Sequence, residues 1–124
     1  YEIEEVLPSP EMFNSLASRH HLCKILREQV TVVAEISGKA VAKANTNGSG
    51  FRHEQIGGVY TLPDYRGEGI STALVSFLLE NIFRTGKKAS LFVKTDNHSA
   101  IRVYTKLGFK KEADFLICYY LREK

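Results

Sequence analysis

At 124 residues, 44% apolar and 25% charged, the chain has the makings of one ordinary globular domain, since units much below about 70 residues seldom bury a core unaided. That composition excludes a disordered tail, a collagen-like repeat and a disulfide-dense miniprotein. The longest apolar run, Phe115 to Leu121, falls far short of the roughly 20 residues a membrane-spanning helix needs, and a net charge of +3 is too mild to point to nucleic acid.

Ser9-Pro10-Glu11 has the form of a helix start, with a hydroxyl cap, proline at the first helical position and an acid near the positive end. Phe13, Leu16, Cys23 and Leu26 follow helical spacing to about Glu28. The period then changes. Val30, Val32, Ala34 and Ile36 alternate with their neighbours as in a strand with one buried face, and Gly38-Lys39 turns the chain back into Ala40 to Asn45. Asn47-Gly48-Ser49-Gly50 has turn composition, and Arg52 to Leu62 is a third strand ended by Pro63. Ile70, Ala73, Leu74, Phe77, Leu78 and Ile82 predict a helix stopped by Gly86. Lys88 to Thr95 is a strand. Asn97 or Ser99 caps a last helix with Ala100, Ile101, Tyr104 and Leu107 inward, and Phe109 to Leu121 contains the closing strand. These elements describe an α/β domain in which hairpins precede a β-α-β-α-β series.

Cys23 and Cys118 stand singly in apolar patterns, as buried free thiols of a reducing cytoplasm would, so a cytoplasmic location is expected. No N-terminal series reads as a secretory signal. His20, His21 and Cys23 have a spacing that zinc could use, but no second ligand pair follows and no metal is expected. Between Arg84 and Lys111, eight bases face the single acid Asp96, which reads either as a solvated face or as a field for a polyanionic ligand.

The stretch Val59-Tyr60-Thr61-Leu62-Pro63-Asp64-Tyr65-Arg66-Gly67-Glu68-Gly69-Ile70-Ser71 runs from a strand through a two-glycine loop directly into a helix. The first N–H groups of that helix lack intrahelical partners and lie at its positive end, and the glycines let a ligand approach. The physics suits a phosphate or pyrophosphate. A P-loop would need lysine and a hydroxyl after Gly69, where Ile70 and Ser71 stand. A dinucleotide fingerprint would need a small residue at Thr72 and a parallel sheet. Gly57-Gly58 in mid-strand suggests a bulge that splays this strand from the next, or else simple close packing.

The loop Arg66-Gly67-Glu68-Gly69-Ile70-Ser71 resembles the pyrophosphate loop of the GNAT superfamily of acyl-CoA-dependent N-acetyltransferases, which reads Arg or Gln, two residues, Gly, one residue, Gly or Ala. Ser71 departs at the last position but is small. A second block, Asp96 to Phe109, resembles the family's Asn, Ala, Tyr, Gly-Phe run, and the similarity covers about residues 30 to 121. The wording Val-Tyr-Thr looks most like the C-terminal acetyltransferase domain of longer, two-part members, so one domain over 1–124 with an N-terminal part missing is the expectation.

The resemblance implies a GNAT-like α/β (α+β) fold: a mixed, mostly antiparallel central sheet with helices on both faces. It implies acetyl-CoA as co-substrate, its pyrophosphate on Arg66, Gly67, Gly69, Ile70 and Ser71. Its pantetheine would pair with the backbone of Val59 and Thr61, and Asn97 would face its amides or merely cap a helix. Tyr104 looks like the general acid toward the leaving thiolate, while Glu54 or His53, or a water relay, would take the amine's proton. The acceptor would be a small-molecule or peptide amine, with neither nucleic acid nor membrane as partner and a homodimer left open. The alternative is an acyl-CoA-binding regulatory or scaffold module without turnover.

Overall fold

The computed structural model describes residues 1, 7 and 9–118. Helix α1 spans Ser15–Glu28, and strands β1 (Thr31–Ile36), β2 (Lys39–Ser49) and β3 (His53–Thr61) follow. Helix α2 (Ile70–Arg84), strand β4 (Lys88–Leu91) and helix α3 (His98–Lys106) complete the regular elements. The sheet order is β1-β2-β3-β4, antiparallel through β3, with β4 parallel to β3 across the α2 crossover. This is the mixed, mostly antiparallel sheet expected.

The core lies between the sheet and α2. Ala44 and Ile56 from the sheet meet Val75, Leu78, Leu79 and Ile82, all buried, and Val32, Val59, Tyr104, Leu107 and Phe109 pack around them. Burying each large side chain there contributes roughly 1.5–3 kcal/mol. The inward stripe matches expectation at Leu74, Leu78 and Ile82, but it is turned toward Val75 and Leu79, which are buried, while Ala73 and Phe77 are exposed. On the other face of the sheet, Lys43, Asn45, Asn47 and Gly58 share a cavity of about 440 Å³ with Ser18, His21, Leu22 and Ile25 of α1 and with Tyr1 and Phe13. Helices therefore flank the sheet on both faces.

Several expected boundaries move. Ser9 accepts from the Glu11 N–H at 3.3 Å, but this caps only a 3-10 turn at Pro10–Met12. Phe13 is extended, and Asn14 caps α1 by accepting from the Ala17 N–H at 3.0 Å. No residue of α1 is fully buried; Leu16 and Leu26 are exposed, and so are Cys23 and Cys118, against the expectation of buried thiols. The inward face expected from Val30 to Ile36 fails at both ends: Val30, just before β1, and Ile36, its last residue, are exposed.

Asn47, Gly48 and Ser49 belong to β2 rather than to a turn, Gly48 pairing with Gln55. The reversal comes later, closed by the Gly50 N–H donating to His53 O at 2.8 Å. Strand β4 ends at Leu91 instead of Thr95. Residues 109–118 form no strand, and the rest of the expected closing strand, 119–121, lies outside the described residues. No helix among the described residues is long and apolar enough to cross a membrane.

Candidate functional site

Three features meet where β3 leaves the sheet. The first is the double glycine. Lys43 faces Tyr60 and Asn45 faces Gly57, so β3 spends one residue more than β2 over this step. This is the expected bulge. Gly58 has φ +60°, and a Cβ there would overlap the Asn45 carboxamide oxygen and lie 2.6 Å from Lys43 Nζ. A Cβ on Gly57 would lie 2.9 Å from the Cβ of Asn47. Glycine is needed here because polar side chains of β2, not a helix, press against the bulge. Lys43 Nζ donates to Gly58 O at 2.8 Å and to Asn45 Oδ1 at 3.3 Å, and the Gly58 N–H donates to Tyr1 Oη at 3.2 Å.

The second feature is an open strand edge. The β3–β4 ladder runs from His53↔Lys88 to Ile56↔Leu91 and stops, so 57–61 have no parallel partner among the described residues. The Leu62 N–H donates to Val41 O at 2.8 Å; by alternation the backbone groups of Val59 and Thr61 point away from β2, toward that edge. Thr61 O already accepts from Arg66 Nε at 2.8 Å, and the Arg66 guanidinium lies 5.3 Å from the centre of the Tyr60 ring. The edge therefore offers the Val59 N–H, the Val59 C=O and the Thr61 N–H.

The third feature is the start of α2. Gly67 and Gly69 have φ +81° and +79°, with open space where a Cβ would stand. Gly69 is the N-cap and brings no side chain to cap the first turn, and no acid occupies that turn. The first N–H groups of a 15-residue helix thus face outward at its positive end, beside glycines that leave room for phosphate. The residues present fit a pyrophosphate.

Asn97 caps α3, its Oδ1 accepting from the Ala100 N–H at 3.2 Å and from Ser99 Oγ at 3.3 Å. Tyr104 is half-buried, packs on the core and meets Phe109 edge-on with ring centres 5.9 Å apart. The structure thus gathers Val59, Thr61, Arg66, Gly67, Gly69, Ile70 and Ser71 on one strand–loop–helix unit, with Tyr104 packed on the same core as Val59.

His53 and Glu54 stand apart from that unit. They open β3, so Glu54 is four residues from Gly58, roughly 13 Å of extended chain. His53 is exposed, and Glu54 lines a separate cavity of about 310 Å³ with Thr46, Leu78 and Ile82 on the α2 side. Its carboxylate accepts from Ser49 Oγ and, at 3.0 Å, from Lys87 Nζ. Burial pushes the Glu54 pKa up, but the hydrogen bonds from Ser49 and Lys87 and the Lys87 charge outweigh it and hold the carboxyl below its ordinary value.

Glu54 therefore adds stability that is present above the ordinary glutamate value near 4.5 and is lost as pH falls through the lower folded-state value. Glu54→Gln should flatten the fall in Tm on acidification, read from melts between about pH 7 and pH 3. An equally steep fall in the variant would show that the pair contributes nothing to acid sensitivity.

The sequence profile of the acetyltransferase (GNAT) family matches residues 2–109, and the chain belongs to that family. An acetyltransferase of Sodalis glossinidius is 36% identical over 90 residues, 69% of this chain and 61% of that protein. A second acetyltransferase, from Yersinia pestis, is 31% identical over 93 residues, and the chain spans only 61–63% of the length of these curated relatives. Among solved structures, the aminoglycoside N-acetyltransferase AAC(6')-Iy, bound to the bisubstrate analogue CoA-S-monomethyl-acetylneamine, superposes with a TM-score of 0.72. At 19% identity, covering 90% of this chain and 82% of that one, it shows the shared fold.

Two contributors at the bulge, Lys43 and Asn45, belong to neither of the two sequence blocks. Their signal is a strand of alanines interrupted by polar residues at every second position, Lys43, Asn45 and Asn47, opposite two glycines.

Proposed function

We propose that this chain binds acetyl-CoA along the β3 edge and at the start of α2, and transfers the acetyl group to a primary amine. The observation that carries this reading is the direct succession, within one unit, of a strand edge left unpaired among the described residues and a glycine-flanked helix start with no side-chain cap. Acetyl-CoA supplies an acyl carbon activated as a thioester. The N–H groups of Gly67, Gly69, Ile70 and Ser71 hold the pyrophosphate, and Arg66 steadies the loop through Thr61 O. Val59 C=O and Thr61 N–H pair with the pantetheine amides as a strand would. Asn97, its Oδ1 used by the helix cap, presents its amide Nδ2 to the same arm.

The Val59 N–H donates to the thioester oxygen as charge develops on it. The amine nitrogen forms the new C–N bond, the C–S electron pair leaves on sulfur, and Tyr104 Oη gives that sulfur its proton. Water takes the proton released by the amine, since the Glu54 carboxylate is engaged by Lys87 and Ser49 on the other side of the sheet. The acceptor, a small-molecule or peptide amine, enters through the cavity between α1 and the bulge.

Ser71→Glu tests the pyrophosphate position without disturbing the glycines, whose positive φ would strain under any branched replacement. A carboxylate in the first turn should leave Tm unchanged or raise helix stability by about 0.3–1 kcal/mol. Facing the pyrophosphate, it should weaken coenzyme A binding about tenfold or more by calorimetric titration. Unchanged affinity would move the phosphates elsewhere.

Steady-state thiol release with a panel of primary amines tests transfer itself, acetylated products being identified by mass spectrometry. Amine-dependent release is the expected result. Saturable acetyl-CoA binding with no release for any amine would instead favour the regulatory module.

A further inference from the structure

We propose that Lys43 is a positioning residue that orients and polarises the Val59 N–H by holding the carbonyl on the other side of the same peptide group. This inference rests on the acetyl-CoA reading of the β3 edge. The Gly58 carbonyl and the Val59 N–H belong to one planar unit, and every peptide bond of the described residues is trans, so the two groups point in opposite directions. Lys43 Nζ donates to Gly58 O at 2.8 Å from the α1 side, and Asn45 Oδ1 accepts from the same ammonium at 3.3 Å. Asn45 is 1% exposed and fixed by its own bond from Nδ2 to Thr46 O at 2.9 Å, so the ammonium is held on a rigid support.

The position is built for this contact. A Cβ at Gly58 would lie 2.6 Å from Lys43 Nζ, so the lysine reaches its carbonyl only because residue 58 has no side chain. Gly58 takes φ +60° and has no Cβ to restrict its backbone, so the peptide that follows it is less constrained than one after any other residue type. The clamp has two consequences. It removes rotation of the 58–59 peptide, keeping the Val59 N–H aimed at the open edge. A cationic donor on the carbonyl oxygen also draws electron density through the amide, making its N–H a stronger donor, as hydrogen bonds in series do. Both effects count most where negative charge grows on an oxygen at that edge.

The test uses acetyl-CoA labelled with ¹³C at the thioester carbonyl, in the absence of any amine, and reads the infrared frequency of the bound carbonyl beside the affinity. Wild-type protein should bind the thioester with its carbonyl band lowered relative to free acetyl-CoA. Lys43→Met keeps the aliphatic stem and removes the ammonium. It should bind acetyl-CoA within about threefold of wild type while losing more than half of the band shift, and the Val59 amide proton should exchange faster with solvent. Lys43→Gln, which retains a neutral donor, gives a second variant with intermediate behaviour, and thermal melts establish that each is folded.

A full wild-type band shift in folded Lys43→Met and Lys43→Gln would overturn the positioning role while leaving the acetyl-CoA site intact. Failure of the wild-type protein to bind the labelled thioester would overturn both readings.

Discussion

Tyr104→Phe should lower turnover about 100-fold or more while acetyl-CoA affinity stays within a few-fold. The ring is half-buried against Phe109 and the core, and phenylalanine preserves that packing while removing only the hydroxyl. A loss confined to kcat is the mark of a proton given to the departing sulfur. A tyrosine serving the core alone would show the reverse pattern: a lower Tm from a lost hydrogen bond worth roughly 0.5–1.5 kcal/mol, with turnover per folded molecule unchanged. Steady-state kinetics on the variant, with melting curves on the same preparation, separate the two. Normal turnover would make Tyr104 structural and assign the proton to another donor.

Gly58→Ala should cost about 2–5 kcal/mol of stability, a large share of the 5–15 kcal/mol that typical domains possess. Two penalties combine. Left-handed backbone costs a residue with a Cβ about 1–2 kcal/mol, and the new methyl group would overlap the Asn45 carboxamide and crowd Lys43, adding roughly 1–3 kcal/mol. Gly67→Ala isolates the first penalty, because Gly67 has φ +81° but open space around the added carbon. It should lose only about 1 kcal/mol. Denaturant melts of the two variants give the comparison directly; equal losses would show that the crowding at the bulge relaxes at no cost.

The contrast between these glycines shows what the sequence made legible. The loop glycines stand at fixed spacing before an amphipathic helix, so their role follows from local chemistry alone. The Gly57-Gly58 bulge was also readable, because two glycines inside a strand seldom pair regularly. Its cause was not: Asn45, Asn47 and Lys43 come from the neighbouring strand, and only the register of Lys43 opposite Tyr60 and Asn45 opposite Gly57 brings them to it.

The same non-local cause explains the misplaced ends. Asn47-Gly48 has turn composition, but Ile56 and Gln55 lie across from Thr46 and Gly48, and the ladder continues through it. Strand β4 stops at Leu91 because its last pairing is with Ile56, just before the bulge, and Phe92 and Val93 then have strand chemistry but no strand to join among the described residues. Helix α1 has helical period, yet its apolar residues at Leu16 and Leu26 remain exposed, since periodicity gives a stripe and not what lies against it. Glu54 reads as a base by its chemistry, and only the fold shows it tied to Lys87, 33 residues away in the chain.

Titration of acetyl-CoA into ¹⁵N-labelled protein, followed by backbone amide shifts, tests the central claim most directly. The saturable shifts should centre on Val59, Thr61, Gly67, Gly69, Ile70 and Ser71, the amides of the open β3 edge and the start of α2. Shifts centred instead on Thr46, Glu54, Leu78 and Ile82, which line the cavity on the α2 side, or no saturable shift at all, would contradict the assignment.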